Sequence, residues 1–522
     1  MSEALFLRVE AVNLAATVYD TNDISTIRGS GFMLLDAVQQ LEKTFFTGPG
    51  GGRILKPVTI GASIGLYEVV SETPLTPEDV VDWAKAELEA ITGGLATFAV
   101  DAARLPIGEG FHSALQTLIA RQRRQQFKQL TLPWKKERWK PGMLPCKANG
   151  VLTAGPQAAG DPTPADISSS VWTRKDNGID KRKRAFKRIC RDWTGTACID
   201  PETLAFTDNL QELASDGPEK NLENKIAFIA IDGNAFGKLR ETTCRTPELL
   251  KAFDEKVRKE VQANLFASLV GSFLQDPDAR MDIKPTAETR TALNQEIKPD
   301  CKLRLETLLW GGDEFAWVVP AWKAFDLLRL FYDQDRNRKW KWKDRPLTYA
   351  AGVVFANVKT PIRSVRNLAE DLLYAAKASV RKGADGVPVS HEDGDLIRYL
   401  VLESIDQIEG GLGRFLTGYY TPATPASLLL GGCGLESFCG HMLTLKALLP
   451  HNKVYSVIDA LRQGRDVAAA AVEALADCAP EARKQIQDAI QGITGGVDAR
   501  WFCIADLWDF VRKPEQGTGA EA

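Results

Sequence analysis

No stretch of the 522-residue chain approaches the ~20 consecutive apolar residues of a membrane-spanning helix. The first ten residues carry Glu3 and Glu10 and place no basic segment ahead of their apolar ones, which argues against a secretory leader. Cysteine is sparse: nine residues, an odd number scattered along the chain, do not make a disulfide framework. A reducing cytoplasm is the simplest setting. A large excess of either charge is missing too, and a formal net charge of -3 gives the whole molecule no general attraction to nucleic acid or membrane. What is present, 44% hydrophobic and 25% charged residues, is the composition of a globular chain able to bury several cores. The length allows roughly three or four domains.

Alternating patterns divide the chain. Leu5 to Val18 reads as a strand, Ser30 to Phe46 as an amphipathic helix, and Val58 to Val70, after the turn Gly48 to Gly52, as a second strand. Pro74 to Ile91 is helical and Leu95 to Val100 is a further strand, so this region is expected to be a sheet covered by helices. Arg121 to Lys140 interleaves basic residues with Phe127, Trp134 and Trp139; a Gly/Pro/Ala-rich stretch and a second basic run, Lys181 to Arg188, follow. From Lys225 the mixed pattern returns. Ile226 to Ile231 is a strand, Pro247 to Phe273 a long helix, and Arg304 to Val319 a hairpin with its tip at Trp310 to Glu314. Trp322 to Tyr332 is a helix, Leu347 to Phe355 a strand and Ser364 to Val380 a helix. The polar insert Gln275 to Asp300 is peripheral, and the Ala/Leu-rich segments after Glu392 predict a helical domain.

Three segments carry candidate chemistry. In Ile229-Ala-Ile-Asp232-Gly233-Asn234-Ala-Phe236-Gly237, an apolar strand delivers an aspartate at its end, followed by small residues that let a ligand approach the backbone. In Trp310-Gly311-Gly312-Asp313-Glu314-Phe315, two glycines at a hairpin tip permit positive φ and are followed by adjacent carboxylates. Hard divalent cations take such carboxylates together with substrate phosphates, and a pair of ions activates a hydroxyl and stabilises a leaving pyrophosphate. A Gly-Gly turn with solvated charges explains the tip alone, but not the tip together with the strand that ends on Asp232. In Tyr374-Ala-Ala-Lys377-Ala-Ser-Val-Arg381, the two cations are spaced i,i+4 and are expected to share one helical face, where they neutralise phosphate charge.

Gly311-Gly-Asp-Glu-Phe315 resembles the signature of GGDEF nucleotidyl cyclases, and Asp371 to Lys377 resembles their Ala-Asp-x-x-Leu-Tyr-x-Ala-Lys helix. Asp232-Gly-Asn-Ala-Phe-Gly237 and Ala351 to Pro361 resemble a relative of those enzymes, the large polymerase/cyclase subunit of type III CRISPR effector complexes. Pro145 to Ala154 is similar to that family's Cys-x-x-Cys-Gly zinc module with Asn149 in place of the second cysteine, so structural zinc at Cys146 is not expected. Ile60 to Val69 sits where a first palm would place its hairpin and lacks the carboxylates. Asn234 stands where the family has Asp, and Glu314 where it has the second Asp of Gly-Gly-Asp-Asp. The four histidines, His112, His391, His441 and His451, form no His-Asp doublet, so the family's nuclease activity on single-stranded DNA is not expected.

The resemblance implies an α+β chain with two ferredoxin-like palm domains, a linker module and a helical C-terminal domain. The expected divisions are 1–120 for a catalytically silent first palm, 121–224 for the basic linker and degenerate zinc module, 225–390 for the catalytic palm and 391–522 for the helical domain. It implies a nucleotidyltransferase joining NTPs, ATP foremost, into a cyclic nucleotide or oligonucleotide used in antiviral defence. Asp232, the Gly233 carbonyl, Asp313 and Glu314 would hold Mg²⁺ or Mn²⁺, with Glu314 either a ligand or the group that deprotonates the attacking hydroxyl. Lys377 would stabilise phosphate charge, with Gly233, Asn234, Phe236, Gly237, Gly311, Gly312 and Arg381 around the substrate. The alternative is a scaffold subunit that binds nucleotide and RNA within an RNA-guided complex and does no chemistry; Arg121 to Lys140, with its charges and stacking rings, motivates it. RNA, other CRISPR-complex subunits and further copies of the chain are the expected partners; a membrane is not.

Overall fold

The computed structural model describes residues 2–44, 54–61, 63–128, 142–156, 161–179, 205–282, 301–408, 410–424, 428–476, 479–493 and 497–513. The glycine turn Gly48 to Gly52, most of the Arg121 to Lys140 stretch, the Lys181 to Arg188 run and the insert beyond residue 282 lie outside the described residues. The chain clusters into two compact units. One comprises residues 1–202, 235–266 and 307–314, the other 203–234, 267–306 and 315–522.

In the first unit the apolar start of the chain forms β1 (Glu3–Val12), with Leu5, Phe6, Leu7 and Val9 all buried. Helix α1 (Ile24–Thr44) follows, and Ile27, Leu34, Ala37, Val38 and Leu41 give it one apolar face. The expected strand Val58 to Val70 is two strands, β2 (Ile54–Ile60) and β3 (Ile64–Val70), and the Gly61 amide donates to the Ile64 carbonyl at 2.8 Å to close the turn. Helix α2 (Pro77–Thr92) starts on a capping box in which Thr76 and Asp79 satisfy each other's backbone amides. It ends on Gly93 at φ 61° and buries Val80, Ala84 and Leu88 at a spacing of one turn. Strand β4 (Thr97–Pro106) closes a sheet of order β2-β3-β1-β4, with β1 antiparallel to both neighbours. The βαββαβ succession and this order are the ferredoxin-like arrangement.

Helix α3 (Phe111–Gln126) takes up the start of the basic stretch. Arg121 belongs to the fold: its guanidinium donates two hydrogen bonds to the buried Asp101 carboxylate, at 2.7 and 2.6 Å. In the small module that follows, Cys146 is buried and its Sγ accepts from the Ser168 amide at 3.2 Å. Asn149 donates to Asp20 at 2.9 Å, and the buried Arg174 grips the same carboxylate at 2.7 and 2.8 Å. Hydrogen bonds and one buried ion pair tie the turn at Asn149 to the start of the chain.

The second sheet is built the same way. Strand β5 (Lys225–Gly233) leads into α4 (Phe236–Thr243) and α5 (Pro247–Lys256). The expected single helix to Phe273 is interrupted by a π-helical stretch, Val257–Ala263, before α6 (Asn264–Gln275). The hairpin strands β6 (Glu306–Gly311) and β7 (Glu314–Pro320) follow, then α7 (Ala324–Phe331), β8 (Tyr349–Asn357) and α8 (Ile362–Ser379). Leu396–Val401, expected as the entry to a helical region, is instead a strand, β9, paired in parallel with β8; Leu430–Gly431 is a short edge strand, β10. The sheet order is β10-β9-β8-β5-β7-β6, so β5, β6, β7 and β8 repeat the ferredoxin-like order. Phe315, stacked on Trp317 with ring centroids 5.2 Å apart and edge-on to Phe331, anchors β7 in an aromatic core.

After β10 the described chain is helical: α9 (Leu435–Leu448), α10 (His451–Gln463), α11 (Arg465–Ala476), α12 (Arg483–Gly492) and α13 (Val497–Leu507). Asp506, in α13, is half-buried. Desolvation pushes its carboxyl up to about 7, against the opposing effect of the Tyr420 hydroxyl, which donates to it at 2.7 Å. The folded pKa lies above the unfolded one, so this contribution to stability is complete below about pH 4 and is lost as pH rises through 7. Asp506→Asn keeps an acceptor for Tyr420 and removes the charge. Thermal melts near pH 5 and near pH 8 should show the variant lacking this slope and, at the higher pH, more stable than the parent by on the order of a few kcal/mol.

Candidate active site at the end of β5

Every residue from Ile226 to Ile231 is buried, so β5 cannot turn before it reaches the sheet edge, where Asp232 emerges half-buried. In the antiparallel register with β8, Asp232 lies opposite Ala350 and Gly233 opposite Tyr349. Helix α8 crosses β8 closely. A Cβ on Gly352 would stand 2.0 Å from the Ala369 carbonyl oxygen and 2.6 Å from the Leu373 nitrogen, so glycine is what allows the approach. One helical turn beyond Leu373, Lys377 reaches the end of β5. Its ammonium is ion-paired with the Asp232 carboxylate and also donates to the Gly233 carbonyl at 3.0 Å. Two oxygens of β5 therefore converge on one positive charge.

Asn234 turns the other way. Its side chain is only 4% exposed, and its amide nitrogen donates to the Gly394 carbonyl at 2.7 Å and the Thr348 hydroxyl at 3.1 Å. Its backbone amide donates to the Thr348 carbonyl at 2.9 Å. Asn234, expected beside the substrate, instead fastens the end of β5 to the start of β8. An aspartate at this position has no hydrogen to give the Gly394 carbonyl. Asn234→Asp is expected to cost about 1–3 kcal/mol and to lower the melting temperature more at pH 8 than at pH 5, because the buried carboxylate must either ionise against an oxygen or hold a proton.

The other expected residues fall in different surroundings. Phe236, at the first position of α4, is buried with its ring edge-on to Phe253 at 5.8 Å, so it serves the core. A Cβ on Gly237 would meet nothing within 4 Å. Only one of the two hairpin glycines uses positive φ: Gly312, at 60°, while Gly311 is the last residue of β6. The Gly312 carbonyl accepts from Gln262 at 2.7 Å, fixing the turn that presents Asp313 and the exposed Glu314. β7, which opens on Glu314, is the sheet neighbour of β5. Arg381 does not share a face with Lys377. Helix α8 ends at Ser379, Val380 is extended, and Arg381 pairs with Asp393 at 2.8 Å.

Two groups behind the site were missed by sequence reasoning. Asp395 is 2% exposed; its carboxylate accepts from the Tyr349 amide and contacts His391 Nδ1, both at 2.8 Å. Ser390 and Asp393 cap the short turn between them, a Ser-x-x-Asp spacing visible in the sequence. Among the described residues no group of three or more His, Cys, Asp and Glu side chains is arranged to hold a metal ion. The test of a divalent cation here rests on β5 itself: the carboxylate of Asp232 and the carbonyl of Gly233 are hard oxygen donors already gathered around a cation, the Lys377 ammonium. That donor set fits Mg²⁺ or Mn²⁺.

No family model matches the chain, and no curated protein matches it. Solved structures that are similar include a Csm1-Csm4 cassette in complex with cA4, 14% identical with a TM-score of 0.48, covering 98% of this chain and 70% of that one. The apo Csm1-Csm4 cassette is 12% identical with a TM-score of 0.49 over the same shares. Csm1 in T. onnurineus is 14% identical with a TM-score of 0.43, covering 97% of this chain and 70% of its own. The strand orders described above, rather than these likenesses, establish the α+β fold with two ferredoxin-like sheets.

Proposed function

We propose that this protein is a metal-dependent nucleotidyltransferase that condenses NTPs, ATP foremost, into a cyclic nucleotide or oligonucleotide, acting with other subunits of an RNA-guided CRISPR complex. The observation that carries the reading is the convergence of the Asp232 carboxylate and the Gly233 carbonyl on one positive charge at the end of a palm strand. Asp232 and the Gly233 carbonyl would hold Mg²⁺ or Mn²⁺, joined by Asp313 and, as a further ligand or as the proton acceptor, Glu314. The cations would supply activation of the 3′-hydroxyl and neutralisation of the leaving pyrophosphate. Lys377 would leave Asp232 when a divalent cation arrives and move its charge onto the substrate phosphates.

The resemblance of Gly311 to Phe315 and of Asp371 to Lys377 to cyclase motifs supports the same chemistry. The experiment is incubation of the purified chain, alone and with activating partner subunits and RNA, with all four NTPs and Mg²⁺ or Mn²⁺. Mass spectrometry should find 3′–5′-linked products and pyrophosphate. Nucleotide binding without turnover in every condition, with RNA and partner subunits co-purifying, would favour the scaffold reading instead.

A further inference from the structure

The helix expected to run unbroken over Pro247 to Phe273 changes its inward face at the π-helical stretch Val257–Ala263. Ahead of the change Leu250, Phe253, Val257 and Val261 are buried, at the spacing of three or four residues that marks one side of an α-helix. An uninterrupted α-helix would carry that row on through Asn264, Ser268 and Ser272, none of which is buried. The buried row continues instead as Gln262, Phe266, Leu269 and Phe273, displaced by one residue from Val261. A π turn closes i→i+5, one residue more than an α turn, which accounts for the displacement. Its consequence is that a glutamine takes a place in the row.

Gln262 is 7% exposed. A buried amide is costly without a hydrogen bond, and the Gln262 Nε2 donates one to the Gly312 carbonyl at 2.7 Å, across 50 residues of chain. Phe266, one turn further along the same side, meets Trp310 edge-on with ring centroids 5.3 Å apart. The row therefore grips the hairpin twice, once on β6 and once at its turn. Gly312 itself has φ 60° and open space where a Cβ would stand, so packing does not confine the turn at that point. A carbonyl and the amide of the next residue share one rigid plane. Holding the Gly312 oxygen thus also sets the direction in which the chain enters Asp313.

We infer that Gln262 is a positioning residue for the Asp313 and Glu314 carboxylates, and that the π stretch is the device that delivers it. The kinetic part of the inference rests on the proposed transferase reaction; the order of the hairpin is measured without turnover and tests the inference by itself. Two variants of the full chain are compared with the parent near pH 6 and near pH 9. Gln262→Met keeps the length and removes the donor. Gln262→Glu can donate to the Gly312 carbonyl only while protonated, and burial raises the pKa of such a carboxyl. Hydrogen exchange read by mass spectrometry on the peptide covering Trp310 to Phe315 should be about tenfold faster in Gln262→Met at both pH values, the equivalent of one lost hydrogen bond, while β8 keeps its protection. Gln262→Glu should match the parent near pH 6 and Gln262→Met near pH 9. In turnover, Gln262→Met should lower kcat by a similar factor and leave KM for NTP unchanged, with Gln262→Glu again crossing from one behaviour to the other. Three results would overturn the inference: hairpin exchange unchanged in Gln262→Met, exchange raised equally throughout the chain, or Gln262→Glu behaving alike at both pH values. A parent that makes no product removes the proposed reaction and leaves the exchange comparison to decide.

Discussion

Asp232→Ala should abolish product formation from NTPs, and Lys377→Ala should slow it by ~10²–10³-fold, the usual loss when one charge-stabilising group is removed from a developing anion. The two effects differ in origin. Removing Asp232 takes away the only side-chain oxygen that β5 offers to a cation. Removing Lys377 leaves that oxygen in place and, in the proposed reaction, would withdraw positive charge from the phosphates. Lys377→Ala should therefore bind divalent cation at least as well as the parent, since the competing ammonium is gone, while its kcat falls. Lys377→Arg restores the charge and should recover part of the rate. Cation affinity measured by Mn²⁺ titration, alongside initial rates of pyrophosphate release, separates these roles. If Lys377→Ala lost cation binding together with activity, the lysine would be holding the strand end in shape.

Gly352→Ala is expected to harm the fold strongly for a single added carbon. The atoms a Cβ would strike, the Ala369 carbonyl oxygen at 2.0 Å and the Leu373 nitrogen at 2.6 Å, are helix backbone and cannot swing aside. Either α8 lifts from β8 or β8 bends. Overpacking of this kind costs about 1–3 kcal/mol, and the direct backbone clash places it at the upper end. The displacement also acts on chemistry, because Lys377 lies one turn beyond Leu373 on the helix that must move. Melting temperature and NTP turnover should fall together. Gly237→Ala provides the contrast: its Cβ has open space, so stability should hold within about 0.5 kcal/mol. Any loss of nucleotide affinity there would report a ligand against the α4 backbone.

Much of the fold was legible because local chemistry and tertiary packing agree. The Thr76–Asp79 capping box, Pro77 and Gly93 delimit α2 within a few residues of its expected ends. The hairpin with its tip at Gly312 was readable from two apolar strands around two glycines. The failures share a cause, which is that short apolar runs do not declare their partners. Val58 to Val70 read as one strand because Gly61 and Ser63 are weak punctuation beside an Asn-Gly turn. Leu396–Val401 read as helical because nothing in the run shows that β8 lies alongside it. Arg381 is expected on a helical face by its i,i+4 spacing from Lys377, although the helix was expected to stop at Val380; α8 ends at Ser379 and extended Val380 turns Arg381 away.

The candidate site divides along the same line. Asp232 and Lys377 were found from motifs, and their meeting across 145 residues of chain follows from α8 packing on the sheet that contains β5. The structural task of Asn234 was not readable, since its partners Thr348 and Gly394 lie 114 and 160 residues away. One of those partners is a carbonyl, so the position needs a donor.

The most direct test of the central claim is pyrophosphate release from ATP by the activated protein, compared with Asp313→Ala prepared identically and with both assayed with and without Mg²⁺ or Mn²⁺. The account predicts product only from the parent and only with the divalent cation. Equal product from Asp313→Ala, or undiminished product after chelation, would contradict it.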